Sequence, residues 1–560
     1  MTDQPPAAPA SSTAAPAPST AAPGATTETA PPAEQPSDTA SPAMAVPKRS
    51  MRPLPGFIER STSTAERFMP LVGRWGPAAV LTLAAATRLI QLGMPETLVF
   101  DETYYVKDGY AIWQQGYEGV WAEGANDKFE AGDPSALGTD PSFVVHPPLG
   151  KWIIGLGTAI FGMQFPWAWR LTVALIGIAI VALTMLITHG LTRSRTITTF
   201  AGFLVAIDGL AITMSRTALL DNVLAFFALA GVAAILMDRR DSPARTVRWW
   251  HGTGKPPTFA QKLGPVFWNR PWLVTAGVMF GCATSVKWSG AYLLAAFGLY
   301  TVFMDALDRK RVGIPGWHLG TLVTAGLPSF LLMIPAALAT YLASYAGWFR
   351  GGYESNWLAA NPEERFTGLL AWVPDGLQNL WHYHQSMYNF HVGLNSDHSY
   401  ESPAVQWLVM LRPTAFWLSS GEGTFAFITS LSNPLIWYTG VFALGWMLFH
   451  FGATLDRKVG PILIAILASF LPWLAFPERT IFHFYTIVFF PFMVIGIALA
   501  VHHVLRPGKR RRQHRKIWLF SIGIFTLITA LLSLWFAPIW YGIEIPDWYG
   551  RLVFWLPGWR

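Results

Sequence analysis

The sequence predicts an all-α integral membrane protein. Only 13% of its 560 residues are charged and 52% are apolar, whereas an average soluble protein carries about 25% charged residues. Eleven apolar runs are each long enough to cross the hydrocarbon core of a bilayer, which takes about 17–25 residues. The content of aromatic residues, 14%, excludes a disordered or collagen-like chain, and the single cysteine, Cys282, excludes an intrachain disulfide framework.

The N-terminal segment differs from the rest of the chain. Residues 1–47 are mostly Ala, Pro, Ser and Thr, so they cannot bury enough apolar surface to offset their chain entropy. They contain no apolar core after a basic start, which a cleavable signal peptide would need. We therefore expect a disordered cytoplasmic tail over residues 1–70 and a multi-pass membrane domain over residues 71–560.

The apolar runs define the predicted spans in chain order. They lie near 75–94, 167–189, 197–215, 217–237, 271–288, 289–305, 317–346, 433–452, 460–477, 481–505 and 517–541. A further run, 152–163, has only a dozen residues and three glycines. Because runs of 10–14 residues are more often interfacial or re-entrant than spanning, we expect this segment to form a helix on the membrane surface.

The distribution of basic residues predicts the orientation. With eleven spans and a cytoplasmic N-terminus, the inner segments hold most of the 40 Lys and Arg residues, as the positive-inside rule requires. These inner segments are 48–74, 193–195, 239–270, 309–311, 457–458 and 506–516. Counting 152–163 as a twelfth span would instead place the acidic first loop inside. The basic run at 506–516 is therefore interpreted as a topology anchor, and no nucleic-acid partner is predicted despite the net charge of +7.

Two large loops, 95–166 and 347–432, then face outward together with the C-terminus. The first loop is strongly acidic and ends in the expected surface helix. The second is rich in Trp, Tyr and His, which is typical of a segment that rests at a membrane interface.

A set of polar residues lies at the outer ends of the predicted spans. A charge at mid-bilayer costs about 2.5–3.5 kcal/mol, so such residues need a pocket, a partner or a route to the interface. Each has an ordinary alternative: Asp101 could cap the following helix, and terminal arginines could extend to the interface. Because these polar residues all lie at the same predicted face of the membrane, we expect them to form a functional site. The set comprises Asp101, Glu102, His146, Lys151, Arg170, Arg216, Asp221, Lys287, Arg479 and His483.

These residue types suit group transfer from an anionic carrier. A carboxylate can take the proton of an attacking hydroxyl, and Arg, Lys and His can stabilise a phosphate as its bond breaks. A site at the outer face suits a substrate with a hydrocarbon tail and a phosphate head. The sequence has no Gly-rich phosphate loop, HExxH motif or paired-cysteine site. The histidines between 382 and 398 could ligate a metal, but an aromatic interface loop is favoured, so no cofactor or metal site is predicted and metal dependence stays open.

Several motifs resemble those of the protein O-mannosyltransferases. FDETYYVKDGYAI at 100–112 and HPPLGKW at 146–152 lie in the first outer loop, and RTIFHFYTIVFFPF lies at 479–492. Shorter matches are the Arg of WAWRL at 167–171, TALLDN at 217–222 and TSVKWSG at 284–290. The Asp-Glu pair alone is shared by many lipid-sugar transferases, but its combination with the other motifs is specific. The resemblance extends over residues 75–541.

The resemblance implies an integral-membrane hexosyltransferase of the GT-C fold with about eleven helices. Such enzymes transfer one mannose, with inversion, from a polyprenyl-phosphate carrier to Ser or Thr of a protein at the outer face of the plasma membrane. Asp101 would be the catalytic base, supported by Glu102. Arg170, Arg479 and His483 would hold the donor phosphate. The other substrate-binding positions by resemblance are His146, Lys151, Arg216, Asp221 and Lys287. Membrane lipid and the secretion translocon are the further candidate partners.

The chain departs from the eukaryotic members in two ways. Their loop between spans seven and eight carries a β-trefoil repeat domain, whereas this loop has only about 85 residues. They also tend to have an acidic residue where Val144 stands here. Both differences resemble a bacterial, actinobacterial-type member. Two alternatives stay open: another lipid-linked GT-C transferase acting on a lipid or cell-wall glycan, and a transporter, which would show mid-bilayer polar residues and internal repeats.

Overall fold

The structure, a computed structural model, describes residues 56–254, 256–505 and 512–560. The predicted tail therefore lies outside the described residues as far as residue 55. From there the chain is helical, because the first helix, α1, covers Gly56–Leu89. Residues 56–70 thus belong to this helix, and their assignment to the tail was wrong. The helix continues through Pro70 and Pro77, since neighbouring groups in a membrane protein can satisfy the backbone groups that a proline frees.

Fourteen more helices of eight or more residues follow in the described part of the chain. They are α2 (Glu102–Gln115), α3 (Leu149–Phe161), α4 (Pro166–Thr192), α5 (Arg195–Ile207), α6 (Gly209–Arg216), α7 (Leu220–His251), α8 (Pro271–Val286), α9 (Gly290–Val312), α10 (Leu327–Ser344), α11 (Asp375–Gly393), α12 (Pro434–Thr454), α13 (Gly460–Phe470), α14 (Phe490–Leu505) and α15 (Arg512–Phe536).

Shorter helical segments connect the long helices. Single α-helical turns cover Ala125–Glu130, Phe259–Leu263, Leu319–Thr321, Trp348–Gly351, Trp357–Ala360, Ala404–Trp407, Pro538–Tyr541 and Asp547–Val553. A π-helical turn covers Leu322–Gly326, and 3₁₀ turns cover Pro134–Ala136, Pro362–Glu364, Gly368–Leu370, Leu471–Ala475, His483–Val488 and Pro557–Trp559.

Each of the eleven predicted spans coincides with helix. Among the described residues, seven helices are long and apolar enough to cross a membrane, within α1, α4, α7, α9, α10, α12 and α15, and α5 with α6 forms one candidate span bent by 60°. The remaining three predicted spans are the shorter helices α8, α13 and α14. A helix of 16 residues such as α8 is about 24 Å long, less than the core of about 30 Å. The count of eleven crossings therefore stays a prediction.

The bend between α5 and α6 has a clear physical cause in Asp208. This buried residue leaves helical geometry, and its carboxylate caps α6 by accepting from the Ala211 N–H at 3.1 Å. Its second oxygen accepts from the Ser432 hydroxyl and from the Asn433 N–H at 2.9 Å. One carboxylate thus breaks one apolar helix and fixes it to the start of α12.

The first large loop contains a small sheet and a tightly packed helix pair. β1 (Gly119–Trp121) pairs antiparallel with β2 (Leu137–Pro141). α3, which corresponds to the expected surface helix, packs on α2 where two glycines meet. A Cβ at Gly155 would lie only 2.2 Å from the Gly109 carbonyl oxygen, so the two backbones touch and only glycine fits.

The second large loop contains a hairpin that the all-α prediction missed. β3 (Ala415–Ser420) pairs antiparallel with β4 (Thr424–Thr429), and β5 (Ile545–Pro546) adds to the far side of β4. The connecting loop ends at Gly423, whose φ of +68° suits a three-residue hairpin turn. A search for apolar runs of span length cannot detect strands this short. The fold is therefore helical with two small sheets in its loops.

The two large loops pack against each other at one end of the helices, which we call the loop end. The Tyr383 hydroxyl of α11 donates to the Val144 carbonyl at 2.7 Å and accepts from the Val144 N–H at 3.3 Å. The His391 ring of the same helix lies 2.6 Å from the Val145 carbonyl oxygen. The second loop therefore fixes the backbone that leads into His146.

Candidate active site

The turn from α1 into α2 is strained and held by aromatic packing. Phe100 has a φ of +48°, which costs free energy for a residue with a side chain. Its ring lies 5.2–5.8 Å from the rings of Phe416, Phe482 and Phe484. Two other parts of the chain therefore hold this turn, and Asp101 follows it directly.

The Asp101 carboxylate is not used to cap a helix. The residue occupies the N-cap position of α2 but makes no capping hydrogen bond, so the capping alternative is wrong. Its carboxylate instead lies beside Tyr105, one turn later, whose hydroxyl favours the ionised form of the carboxylate. Burial raises the pKa of Asp101 to about 6, and the nearby Lys287 ammonium opposes the rise. At neutral pH the carboxylate is ionised and more basic than an ordinary aspartate.

Glu102 points away from Asp101 into the protein. The side chain is fully buried, and its two oxygens accept from the Arg170 guanidinium at 2.9 and 2.8 Å. They also accept from the backbone N–H groups of Val99 and Ala218 at 3.0 and 2.8 Å. All these bonds satisfy the carboxylate within the fold, so Glu102 connects the turn before α2, the helix α4 and the segment between α6 and α7.

The structure does not bring Arg170 to a substrate pocket. Its five N–H donors are all used, two by Glu102 and three by the backbone carbonyls of Leu92, Pro95 and Thr97. The side chain is fully buried. No donor remains for a phosphate oxygen, so the predicted contact between Arg170 and the donor phosphate is not supported, and the residue fixes the segment before Asp101.

Two more predicted site residues are also held by partners inside the fold. Arg216 donates to the carbonyls of Arg88, Ile90 and Gln91 at 2.7–3.2 Å, which lie at the end of α1 and in the turn that follows it. Lys151 is buried and pairs with Glu118 at 2.8 Å and Asp108 at 3.3 Å. Neither residue lines the cleft described next. Both hold parts of the fold together, and their contact with substrate stays a prediction.

Four of the predicted residues, His146, Asp221, Lys287 and Arg479, line one cleft at the loop end. The cleft has an empty volume of about 770 Å³. Aromatic rings form much of its remaining wall, namely those of Trp288, Tyr292, Tyr388, Trp473, Phe476 and Tyr485. Asp101 lies close enough to Lys287 and Asp221 for both charges to act on its pKa. The cleft therefore places cations beside an aromatic wall against which apolar groups can pack.

Lys287 and Asp221 form the ion pair of the cleft. The Lys287 ammonium lies 2.7 Å from a carboxylate oxygen of Asp221 and 4.7 Å above the Tyr485 ring. Lys287 ends α8 and Asp221 lies in the first turn of α7, so packing of these helices sets the pair. An ammonium has three N–H donors, and Asp221 accepts from one of them, so Lys287 can bind an anion as well.

Arg479 lies in a different electrostatic setting. It lines the cleft, its Nη2 lies 3.1 Å from His391 Nδ1, and its guanidinium lies 5.4 Å from the Trp473 ring centroid. Its buried Nε has no hydrogen-bond partner, and no carboxylate among the described residues forms an ion pair with it. His391 Nε2 must donate to the Val145 carbonyl, so Nδ1 accepts from Arg479. Burial and the adjacent Arg479 lower the pKa of His391 to about 4, which keeps the ring neutral.

His146 and His483 occupy unlike positions. The His146 ring stacks on His391 at 5.2 Å, and burial, with Lys287 next in effect, lowers the pKa of His146 well below its usual value. His483 is fully buried beside Trp437, at 5.0 Å between rings, with both ring nitrogens unpaired. It does not line the cleft, so its predicted contact with the donor phosphate is not supported.

Comparison with known proteins identifies the family. The model of dolichyl-phosphate-mannose-protein mannosyltransferases matches residues 146–253, and that of the C-terminal four-transmembrane region of protein O-mannosyltransferase matches residues 376–464. A polyprenol-phosphate-mannose–protein mannosyltransferase of Mycolicibacterium smegmatis is 31% identical over 535 residues, which cover 90% of this chain and 99% of the relative. The chain belongs to the protein mannosyltransferase family. A relative of the same name from Corynebacterium glutamicum is 32% identical over 501 residues, 87% of this chain and 93% of that one.

The fold agrees with membership of this glycosyltransferase family. The structure is similar to that of the S. cerevisiae protein O-mannosyltransferase Pmt1–Pmt2 complex bound to the sugar donor, with a TM-score of 0.64 and 14% identity. The match covers 87% of this chain and 92% of that one. At this identity the likeness shows the fold alone. It confirms the GT-C architecture that the sequence motifs predict.

The structure adds residues to the candidate site that sequence reasoning missed. His391 contacts Arg479. Tyr105 lies beside Asp101, and the Lys287 ammonium lies over the ring of Tyr485. His391 was weighed only as one of several histidines that could ligate a metal. A usable signal was its spacing of seven residues from His384 in an aromatic segment, which places both rings on one face of a helix.

The histidines of the second loop do not gather around a common point. In residues 56–254, 256–505 and 512–560, no group of three or more His, Cys, Asp or Glu side chains could hold a metal ion. Their partners are instead specific neighbours: His384 contacts the Tyr341 hydroxyl at 2.6 Å, and His382 stacks on Trp357 at 3.9 Å. These rings therefore serve the packing of the loop.

Proposed function

We propose that this protein transfers a single mannose from polyprenyl-phosphate mannose to Ser or Thr hydroxyls of proteins. The observation that carries the proposal is the setting of Arg479, a cation without a carboxylate partner among the described residues. It shares its cleft with Lys287, and Lys287 lies close to Asp101. A cleft that holds such a cation suits an anionic ligand. The donor and the acceptor class are those of the relatives from M. smegmatis and C. glutamicum, which are polyprenol-phosphate-mannose–protein mannosyltransferases.

In this proposal Arg479 and Lys287 receive the phosphate of the donor. Lys287 is already partly neutralised by Asp221 at 2.7 Å, so Arg479 supplies the larger uncompensated charge. The neutral rings of His146 and His391 add no positive charge. The aromatic wall of the cleft, including Trp288 and Trp473, suits the first isoprene units of the carrier.

The proposed reaction is a single displacement. The Asp101 carboxylate takes the proton of the acceptor hydroxyl as its oxygen bonds to C1 of the mannose. The bond between C1 and the phosphate oxygen breaks, and both its electrons leave with polyprenyl phosphate. Arg479 and Lys287 stabilise the charge that develops on that phosphate. Attack opposite to the leaving group inverts the configuration at C1, and the phosphate is a good enough leaving group that no nucleotide takes part.

Glu102 and Arg170 act as positioning residues in this scheme. Their buried pair fixes the residue that follows Asp101 and the loop of Leu92–Thr97 before it. Arg216 fixes the end of α1 in the same way. The base is thus held by groups that do not themselves meet the substrate, as a precise catalytic geometry requires.

We place the reaction at the outer face of the plasma membrane, with the N-terminus in the cytoplasm and the C-terminus outside. The support is the excess of basic residues in the opposite set of loops and the position of the cleft at the loop end. Membrane and secreted proteins with exposed Ser or Thr are then the acceptors, and the secretion translocon is a candidate source of them.

The decisive experiment uses purified protein, labelled polyprenyl-phosphate mannose and a Ser/Thr-rich peptide. The wild type should label the peptide, and Asp101→Asn should not, while both show the same thermal unfolding midpoint. Asp140→Asn, an exposed carboxylate of the same loop, is the matched control and should keep full activity.

Three outcomes separate the parts of the proposal. Activity retained by Asp101→Asn would place the base elsewhere. Labelling of peptide from another lipid-linked sugar, but not from mannose, would contradict the donor. Labelling of a lipid or glycan acceptor in place of peptide would favour the alternative GT-C transferase.

A further inference from the structure

The second large loop has an apolar tip that no described part of the chain covers. Leu369 is 94% exposed and Trp372 78% exposed, with Leu370 exposed between them. The tip lies between Arg365 and Asp375, which form a solvent-exposed ion pair at 2.6 Å. Large side chains exposed together in this way mark an interaction surface.

The tip continues into an apolar stripe on α11. Leu377, Trp381, Tyr388 and Val392 are all exposed, and their spacing of four, seven and four residues places them on one face of the helix. Leu380, Tyr383 and Met387 are buried on the opposite side against the body of the protein. The helix therefore presents an aromatic and aliphatic stripe outward along its whole length.

The position of α11 favours lipid as the partner of this surface. The His384 ring lies 2.6 Å from the hydroxyl of Tyr341, in the last turn of α10, a candidate membrane span that ends at Ser344. Gly376, in the first turn of α11, lies beside the Phe349 ring, only a few residues beyond that span. The helix is thus fixed where a spanning helix leaves the hydrocarbon, and Trp and Tyr are enriched at that level.

We propose that the tip and the stripe insert into the surface of the bilayer on the loop side, and that this insertion holds the wall of the active cleft in place. The stripe is uncharged and lies beside the end of a candidate membrane span, so a bilayer fits it without a further partner. The second part rests on the proposed function. Tyr388 and Val392 of the stripe line the cleft, and His391 between them contacts Arg479.

The first test measures insertion and does not depend on activity. Because Cys282 is the only cysteine, a Cys282→Ser background allows a single environment-sensitive fluorophore at Leu369→Cys or Trp372→Cys. The protein is reconstituted in phosphatidylglycerol and phosphatidylethanolamine vesicles. We expect a blue-shifted emission that spin-labelled lipids quench and aqueous iodide does not. Glu422→Cys, in the polar turn of the hairpin, is the control and should respond to iodide only.

The two quenchers distinguish insertion in lipid from exposure to water and from contact with another protein. Quenching of the Leu369 label by iodide and not by lipid would overturn insertion. Protection of the label from both quenchers would indicate a protein partner and would equally contradict the proposal.

The second test links insertion to the cleft. The variant Leu369→Gln/Leu370→Gln/Trp372→Gln should raise KM for the lipid-linked donor about fivefold in vesicles and leave KM unchanged in detergent. Val405→Gln, a highly exposed apolar residue outside the stripe, should change neither. Equal KM for the triple variant and the wild type in vesicles would overturn the coupling, while loss of all transfer by the wild type would instead contradict the proposed function.

Discussion

The loop end contains two arginines in opposite settings, and the contrast separates structure from chemistry. Arg170 is fully buried with all five donors satisfied and a carboxylate, Glu102, as its partner. Arg479 lines a cleft, and its guanidinium contacts a neutral histidine and an aromatic ring. Among the described residues it has no carboxylate partner, and one of its buried donors is unpaired. A fully paired cation stabilises the fold around it. A cation without a counter-charge remains available for an anionic ligand.

The largest loss of stability should come from breaking the ion pair between Arg170 and Glu102. Arg170→Met leaves the Glu102 carboxylate buried without its partner, which costs about 3–5 kcal/mol of stability. We expect less monodisperse protein and a lower midpoint of thermal unfolding in detergent. The double variant Arg170→Met/Glu102→Gln should recover part of the loss. If Arg170→Met keeps wild-type stability and loses only donor binding, the assignment of the two arginines is reversed.

The cleft arginine should show the opposite pattern. Arg479→Gln removes the uncompensated charge, and the loss of one such stabilising group lowers turnover about 100- to 1,000-fold. The unfolding midpoint should stay at the wild-type value. Arg412→Gln, an exposed arginine of the second large loop, should leave both quantities unchanged. A destabilised but fully active Arg479→Gln protein would contradict the phosphate role.

Replacing His391, the hydrogen-bond partner of Arg479, should have a smaller effect on the reaction than replacing Arg479 itself. Its Nδ1 accepts from Arg479 while its Nε2 donates to the Val145 carbonyl. His391→Phe removes a hydrogen bond to a charged group, worth about 1.5–3 kcal/mol, so we expect KM for the donor to rise at least about tenfold with little change in kcat. His382→Phe is the control. A fall in kcat alone would show that His391 acts on the chemical step.

The smallest effect should come from an ion pair on the surface. Arg365 and Asp375 lie 2.6 Å apart, as close as the buried pairs, but each is half exposed. Such pairs contribute about 0–1 kcal/mol, so Arg365→Ala should leave the unfolding midpoint and the activity near those of the wild type. If Arg365→Ala lowered the unfolding midpoint as much as Arg170→Met does, burial would not explain why the two ion pairs differ in their contribution to stability.

The helices and the family could be predicted from the sequence because both depend on local signals. Apolar runs of span length and motifs such as HPPLGKW each lie within a short stretch of chain. The lengths of α8, α13 and α14 could not be predicted in this way, since polar and 3₁₀ segments at their ends interrupt the apolar runs. The hairpin of β3 and β4 was missed because its strands are only six residues long.

The roles of the two arginines could not be predicted for a different reason. Both lie at the end of an apolar run and both match a family motif. The two arginines differ in their partners. Arg170 binds the Glu102 carboxylate, 68 residues away in sequence, and Arg479 contacts the His391 ring, 88 residues away. Such long-range pairing is set by the packing of helices. The ion pairs and hydrogen bonds of Lys151 and Arg216 could not be predicted for the same reason, because their partners are likewise distant in sequence or part of the backbone.

The most direct test of the central claim, that Asp101 is the base of the cleft, is the pH dependence of kcat/KM. Burial raises the pKa of Asp101 to about 6, while His391 titrates near 4. A protonated carboxyl cannot accept the hydroxyl proton, so kcat/KM should be constant above about pH 7 and fall through a midpoint near pH 6. The pKa of Asp108 is also about 6, but this residue pairs with Lys151 outside the cleft, so Asp108→Asn should keep the same profile. A rate that is constant from pH 5 to pH 8, or a midpoint that disappears in Asp108→Asn, would contradict the claim.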